Sequence, residues 1–151
     1  MSTPDRDPQH LDSQLRWILD RVQQASDLLG HPIVLTEGLR SDDRQAELYA
    51  LGRTVVSHVG VTRTRSMGLT VTNAMAGQSR HRPNAEGFGE ALDFHFAEGE
   101  PWGEDQPWEL IGILFETLGC EWGGRWVRWG HGKGDRPHVQ LHKRQTPTLV
   151  A

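Results

Sequence analysis

The feature that most limits how this chain can fold is a long apolar stripe near its start. Leu11, Leu15, Ile18, Leu19, Val22, Ala25 and the pair Leu28/Leu29 recur at helical spacing, and Gly30 and Pro32 end the run. A helix of this kind is stable only with its apolar face buried against another element. The chain offers both strands and helices for that purpose. Ile33–Thr36 is a short β-branched run, Ala91–Phe96 alternates, and His138–Leu141 reads as a last strand. Ser41 followed by Asp42 and Asp43 has the form of an N-cap with acids in the first turn, and Ala46, Leu48, Tyr49 and Leu51 carry that helix to Gly52. Trp108–Leu118 is a further amphipathic helix, with Ile111, Leu114, Phe115 and Leu118 among its apolar positions and Gly119 as its stop. Strands and helices mix without a regular βαβ alternation. The expected fold class is therefore α+β, a small antiparallel sheet with flanking helices.

The remaining stretches read as connections. Arg53–Gly77 predicts a long surface loop with one short extended piece at Leu69–Thr72, and Gly99–Pro107 a polar loop. A single domain is expected over residues 11–142, with a loose lead at 1–10 and a tail at 143–151. Its 151 residues suffice for a core without a covalent staple. Cys120 is the only cysteine, which excludes an internal disulfide and a multi-cysteine zinc knuckle, and at a helix end it reads as a small buried hydrophobe. Sixteen basic against 20 acidic residues give a net charge of -4, a poor match to nucleic acid. There is no long apolar run for membrane insertion. The start has no basic region leading into an apolar one, so synthesis in the cytoplasm without a signal peptide is expected.

Eight histidines keep a metal site open. Three segments carry chemistry: Ser79-Arg80-His81, Gly89 to Asp93, and Asp135 to Leu141. Two imidazoles, from His81 and His138, and the Asp93 carboxylate would leave one position open on a tetrahedral zinc ion. Hydrolysis at such an ion also needs a base, and Asp135 stands three residues before His138, with Pro137 pinning the backbone between them. Each residue has a plainer reading. A single histidine is more often structural, Asp135 next to Gly132 and Gly134 is by default a turn former, and Asp93 could cap a strand end.

The order of these segments resembles the zinc peptidoglycan peptidases that include D-alanyl-D-alanine carboxypeptidases and phage L-alanyl-D-glutamate endolysins. Ser79-x-His81, Gly89-x-Ala91-x-Asp93 and Asp135-x-x-His138 match the family's zinc segments. Gly38-Leu39-Arg40-Ser41, then Gln45, Leu48-Tyr49 and Gly52-Arg53-Thr54, resemble the stretch upstream. Val71-Thr72-Asn73-Ala74 with Gly77, and Glu121-Trp122-Gly123-Gly124, resemble the segments before the two histidines, so the likeness runs from about Leu11 to Leu141. One departure stands out. Twelve positions separate His81 from Asp93, where the family's usual spacing is seven, and Arg82–Phe88 reads as a looped insertion at the rim of the cleft.

The resemblance implies a hedgehog/D-Ala-D-Ala-peptidase-like fold and one zinc ion bound by His81, Asp93 and His138. It implies Asp135 as general base and acid, Arg40 as a substrate or oxyanion contact, and Ser79 as a substrate contact or a support for His81. His131 is a rival ligand that lacks the Asp-x-x-His context. Trp122, Trp126 and Trp129 are expected to build core and cleft wall, and Glu86 and Glu90 to be solvated. The implied activity is hydrolysis of peptidoglycan stem peptides by a monomer that reaches the cell wall after release. An L-alanyl-D-glutamate endopeptidase is favoured by Asp at the base position. D-alanyl-D-alanine carboxypeptidase or dipeptidase activity is the alternative, and a non-catalytic zinc-stabilised wall-binding module a remoter one.

Overall fold

The predicted stripe forms the helix α1, Ser13–Leu28, whose side toward the protein is lined by Leu15, Ile18, Leu19 and Val22. Asp12 caps it, its carboxylate accepting the Gln14 N–H at 3.0 Å. The computed structural model describes residues 2–51, 79–127 and 134–142, and the backbone of 54–56 and 63–65. The elements that follow α1 are β1 Ile33–Glu37, α2 Asp42–Ala50, β2 Thr54–Val56, β3 Arg63–Arg65, β4 Ala91–Phe96, α3 Trp108–Thr117, β5 Cys120–Trp122 and β6 His138–Leu141. Among the described residues no helix is long and apolar enough to cross a membrane.

Four strands make one antiparallel sheet in the order β1-β4-β6-β5. Because side chains alternate along a strand, the sheet has two distinct faces. Leu92, Phe94 and Phe96 of β4, Val139 and Leu141 of β6, and Cys120 and Trp122 of β5 are buried in one cluster with residues of α1 and α3. Aromatic rings tighten it: Phe96 meets Trp108 edge-on at 4.7 Å, and Phe94 lies 5.5 Å from Phe115. The residues of opposite parity, Asp93, His138, Gln140 and Glu121, belong to the other face. An α+β architecture with the sheet covered on one side thus leaves its second face for chemistry.

Three segments differ from expectation. The 53–77 stretch holds an antiparallel ladder, Thr54 opposite Arg65 and Val56 opposite Arg63, where a loop was expected; Leu69–Thr72 lies outside the described residues. β5 was not foreseen either, since a three-residue strand carries too little alternation to stand out. Residues 2–10, expected as a loose lead, are fastened: the Asp5 carbonyl accepts the Gly38 N–H at 2.8 Å, and the Ser2 carbonyl accepts from Arg44 at 2.6 Å.

Gly112 on α3 shows how close the helix lies to the sheet. A methyl group there would overlap the Trp122 indole. Alanine is favoured over glycine inside a helix by about 1 kcal/mol, but forcing a buried ring aside costs about 1–3 kcal/mol. Gly112→Ala is therefore expected to lower the midpoint of urea unfolding. A raised midpoint would mean that Trp122 moves freely.

Candidate metal centre

Asp93 and His138 are directly opposite each other across β4 and β6, which puts both side chains on one face of the sheet. His81 arrives from the turn that begins at Ser79, whose hydroxyl accepts the His81 N–H at 3.1 Å. The His81 carbonyl accepts the Arg40 N–H at 2.7 Å, which ties that turn to the segment after β1. His81 Nε2 then lies 3.2 Å from His138 Nδ1 and 3.5 Å from Asp93 Oδ1, and His138 Nδ1 lies 3.3 Å from Asp93 Oδ1. Among the described residues these three are the one group of His, Cys, Asp and Glu arranged to hold a metal ion.

The outward nitrogens support that use. His81 Nδ1 is 2.7 Å from the Gly38 carbonyl, an acceptor only, so Nδ1 carries the hydrogen and Nε2 presents a lone pair. His138 Nε2 is 2.9 Å from Gln140 Oε1, leaving Nδ1 to face inward. Two imidazole lone pairs and a carboxylate oxygen converge, a donor set that suits a divalent transition ion and needs a cation between its members.

Asp93 is held from behind. Its Oδ2 lies 3.4 Å from Arg40 Nη2, and Arg40 is buried. The guanidinium also donates to Gln45 Oε1 at 2.8 Å and Glu37 Oε1 at 2.6 Å, while Glu37 Oε2 accepts from Arg44 Nε. A register shift between Leu35 and Glu37 sets Glu37 opposite Asp93; bulges of this kind re-aim side chains beside functional sites. Arg40, expected at the substrate, is thus engaged within the protein through both Nη atoms.

Asp135 stands beside the cluster without joining it. Gly123 makes room for it: a Cβ there would overlap the Asp135 carbonyl and meet the Cβ atoms of Asp135 and His138 at 3.2 Å. The Asp135 N–H donates to the Gly123 carbonyl at 2.8 Å and its carbonyl accepts from His138 N at 3.2 Å. Burial pushes the Asp135 carboxyl above its ordinary range and the Asp93 charge adds to this, against the pull of His138, His81 and Arg40. Asp135, Arg136 and Pro137 also border an open depression of about 260 Å³ with Trp102, Glu104, Trp108 and Gly134.

In the metal-free protein, burial works against charge on both Asp93 and His138. On Asp93, protons that take the ion's place on the inward nitrogens win: the His81 charge and the hydrogen bonds from His138 and His81 hold the carboxyl well below its usual range. On His138 the bond to Asp93 and the Asp93 charge win, raising it above 6.5. A raised histidine contributes stability that is complete below its unfolded value and is lost as pH rises through its folded value. Metal-free protein is therefore expected to lose stability as pH rises beyond 6.5, and His138→Gln to abolish that limb. Urea unfolding in chelator across pH reads this; an unchanged limb in the variant contradicts it.

The other expectations sort as follows. The Arg82–Phe88 insertion closes on itself, Glu86 and Phe88 N–H groups both donating to Asn84 Oδ1 at 3.0 Å. It is fastened to the start of α1 by Asn84 to Asp12 at 3.3 Å and Gly89 N to the His10 carbonyl at 3.0 Å. The ligands meet despite the longer spacing. Trp122 is in the core and Trp126 lies beside His138, ring centroids 5.1 Å apart. Glu86 is exposed, but Glu90 is half-buried and pairs with Arg80 at 3.3 Å. Burial raises the Cys120 thiol to about 12. Trp129 and His131 lie outside the described residues. Sequence reasoning missed Glu37, Gln140 and Glu121. Only the i, i+2 spacing of His138 and Gln140 on a strand pointed to one of them.

A Bacillus subtilis (strain 168) protein, peptidoglycan L-alanyl-D-glutamate endopeptidase CwlK, is 31% identical over 146 residues, which covers 89% of this chain and 75% of that protein. The Serratia marcescens L-Ala D-Glu endopeptidase ChiX superposes with a TM-score of 0.54 at 21% identity, covering 90% of this chain and 84% of its own. A mutant of the D,D-pentapeptidase VanY from a VanB-type vancomycin-resistance cassette, crystallised with Zn(II), superposes with a TM-score of 0.56 at 12% identity, covering 87% and 72%. The two structures share this fold. No protein-family model matches the chain.

Proposed function

This chain belongs to the peptidoglycan L-alanyl-D-glutamate endopeptidase family, and we propose that it cleaves that bond in peptidoglycan stem peptides with one zinc ion held by His81, Asp93 and His138. The observation that carries this reading is the convergence of two imidazole lone pairs and one carboxylate oxygen within 4.8 Å of one another. A zinc ion bound there supplies Lewis acidity, which polarises a carbonyl and makes water more acidic.

The chain's own residues do the rest. Asp135 takes a proton from the attacking water and returns it to the leaving amine. Asp135 is placed for that task beside the three converging ligands and outside them, in a turn held by main-chain bonds to Gly123 and His138. Arg40 restrains the outer oxygen of Asp93 and keeps that carboxylate turned toward the two histidines. Ser79 fixes the turn that carries His81. All these groups come from one chain, which supports a monomer as the acting unit.

Mass spectrometry of fragments released from purified peptidoglycan tests this. New amino termini at D-glutamate, abolished by a chelator, are expected. Loss of terminal D-alanine alone would make the protein a carboxypeptidase. Zinc binding without release from any wall type would make it a binding module.

A further inference from the structure

We propose that Glu121, acting through Gln140, dictates the tautomer of His138 and so keeps its Nδ1 lone pair facing His81 and Asp93. The inference rests on the reading of His138 as a metal ligand and extends it to two residues outside the cluster.

Glu121 on β5 and Gln140 on β6 are direct cross-strand partners, and Gln140 shares a strand face with His138 two residues away. Three hydrogen bonds link them in a row. Trp126 Nε1 donates to Glu121 Oε1 at 3.0 Å, Gln140 Nε2 donates to Glu121 Oε2 at 3.3 Å, and Gln140 Oε1 faces His138 Nε2 at 2.9 Å. The direction of the row follows from what each group can do. An indole N–H only donates, and an ionised carboxylate only accepts. Glu121 therefore requires the amide NH₂ of Gln140, which turns the amide oxygen toward the ring. An oxygen there accepts only, so it pairs with His138 only when the ring carries a hydrogen on Nε2, which is the form that leaves Nδ1 free for an ion. With the opposite amide orientation two acceptors would face each other at Glu121, and the hydrogen of His138 would move to Nδ1, between the ring and Asp93. Gln140 and Glu121 are positioning residues, and groups of this kind hold about 10–100-fold of a site's metal affinity.

Exchanging the carboxylate and the amide separates this relay from simple packing. In Glu121→Gln, the Trp126 N–H holds the new amide oxygen, so its NH₂ points at Gln140. Gln140 must then turn its oxygen away from His138, and the Nε2–H of the ion-bound ring is left facing an NH₂ donor. In the double variant E121Q/Q140E the carboxylate now at position 140 accepts both from the amide NH₂ introduced at position 121 and from His138 Nε2–H, and the original direction returns.

Histidine ¹⁵N NMR of the zinc-loaded full chain shows whether His138 holds a hydrogen-bonded Nε2–H while Nδ1 faces the ion. Competition with a chromophoric chelator reads affinity for zinc alone. The wild type is expected to show a slowly exchanging Nε2–H on His138. E121Q is expected to lose that protection and to bind zinc about 10–100-fold more weakly, and the double variant to restore both. An E121Q variant with an unchanged Nε2–H signal and affinity, or a double variant that does not recover, overturns the relay. Wild-type protein with Nε2–H on His138 but no zinc binding would uphold the relay and overturn the metal centre.

Discussion

Asp135→Asn is expected to slow stem-peptide hydrolysis by about 10²–10⁴-fold while the protein keeps its zinc and its unfolding temperature. Asparagine matches aspartate in shape but cannot take up a proton. The turn that presents the residue is held by main-chain bonds to Gly123 and His138, which the substitution leaves in place. The carboxyl lies outside the group of three converging ligands, so metal content does not depend on it. Burial raises it, which marks an environment that a neutral amide tolerates at least as well as a charge. Turnover of isolated peptidoglycan, with zinc measured on the same sample, checks this. Loss of zinc together with rate would make Asp135 a ligand. An undiminished rate would place the base elsewhere.

His81→Ala is expected to remove the response of stability to zinc. In the wild type, zinc at a thousand times its dissociation constant adds about 4.1 kcal/mol, which for a domain of this size raises the unfolding temperature by roughly 8–16 °C. The variant loses one of three ligands, and it leaves the Gly38 carbonyl buried without its 2.7 Å hydrogen bond. An orphaned buried acceptor costs about 1–3 kcal/mol, so the metal-free variant should also unfold earlier than metal-free wild type. Thermal unfolding with and without zinc separates the two effects. A full zinc response in His81→Ala would remove this residue from the ligand set.

How much of the fold was legible in the sequence depended on the length of each signal. The stripe from Leu11 to Leu29 spans about five turns, and β4 alternates over six residues, so both stand out from the residues alone. β5 is three residues long and follows a helix whose apolar period runs into it, which hides its alternation. The β2–β3 pairing is equally short and lies in a segment rich in glycine and threonine. At the site, local reading left His81, Asp93 and His138 as separate polar residues, and only their order along the chain, matched to a family, drew them together. The cross-strand register then explains why Asp93 and His138 must meet. Arg40 is recognisable as important, but its burial against Glu37 depends on a bulge that has no sequence signature here. Glu121 is invisible for a similar reason: its neighbour Gln140 is 19 residues away and becomes a partner only when β5 and β6 pair.

The central claim is that two histidines and one aspartate from three separate segments hold a single catalytic ion. Anomalous diffraction at the zinc edge from crystals of the zinc-loaded protein tests it most directly. The account predicts one peak, about 2.0–2.2 Å from His81 Nε2, Asp93 Oδ1 and His138 Nδ1, with the Asp135 carboxylate outside the coordination sphere. A peak that lacks any of the three, or that is bound through His138 Nε2 or His131, would contradict it.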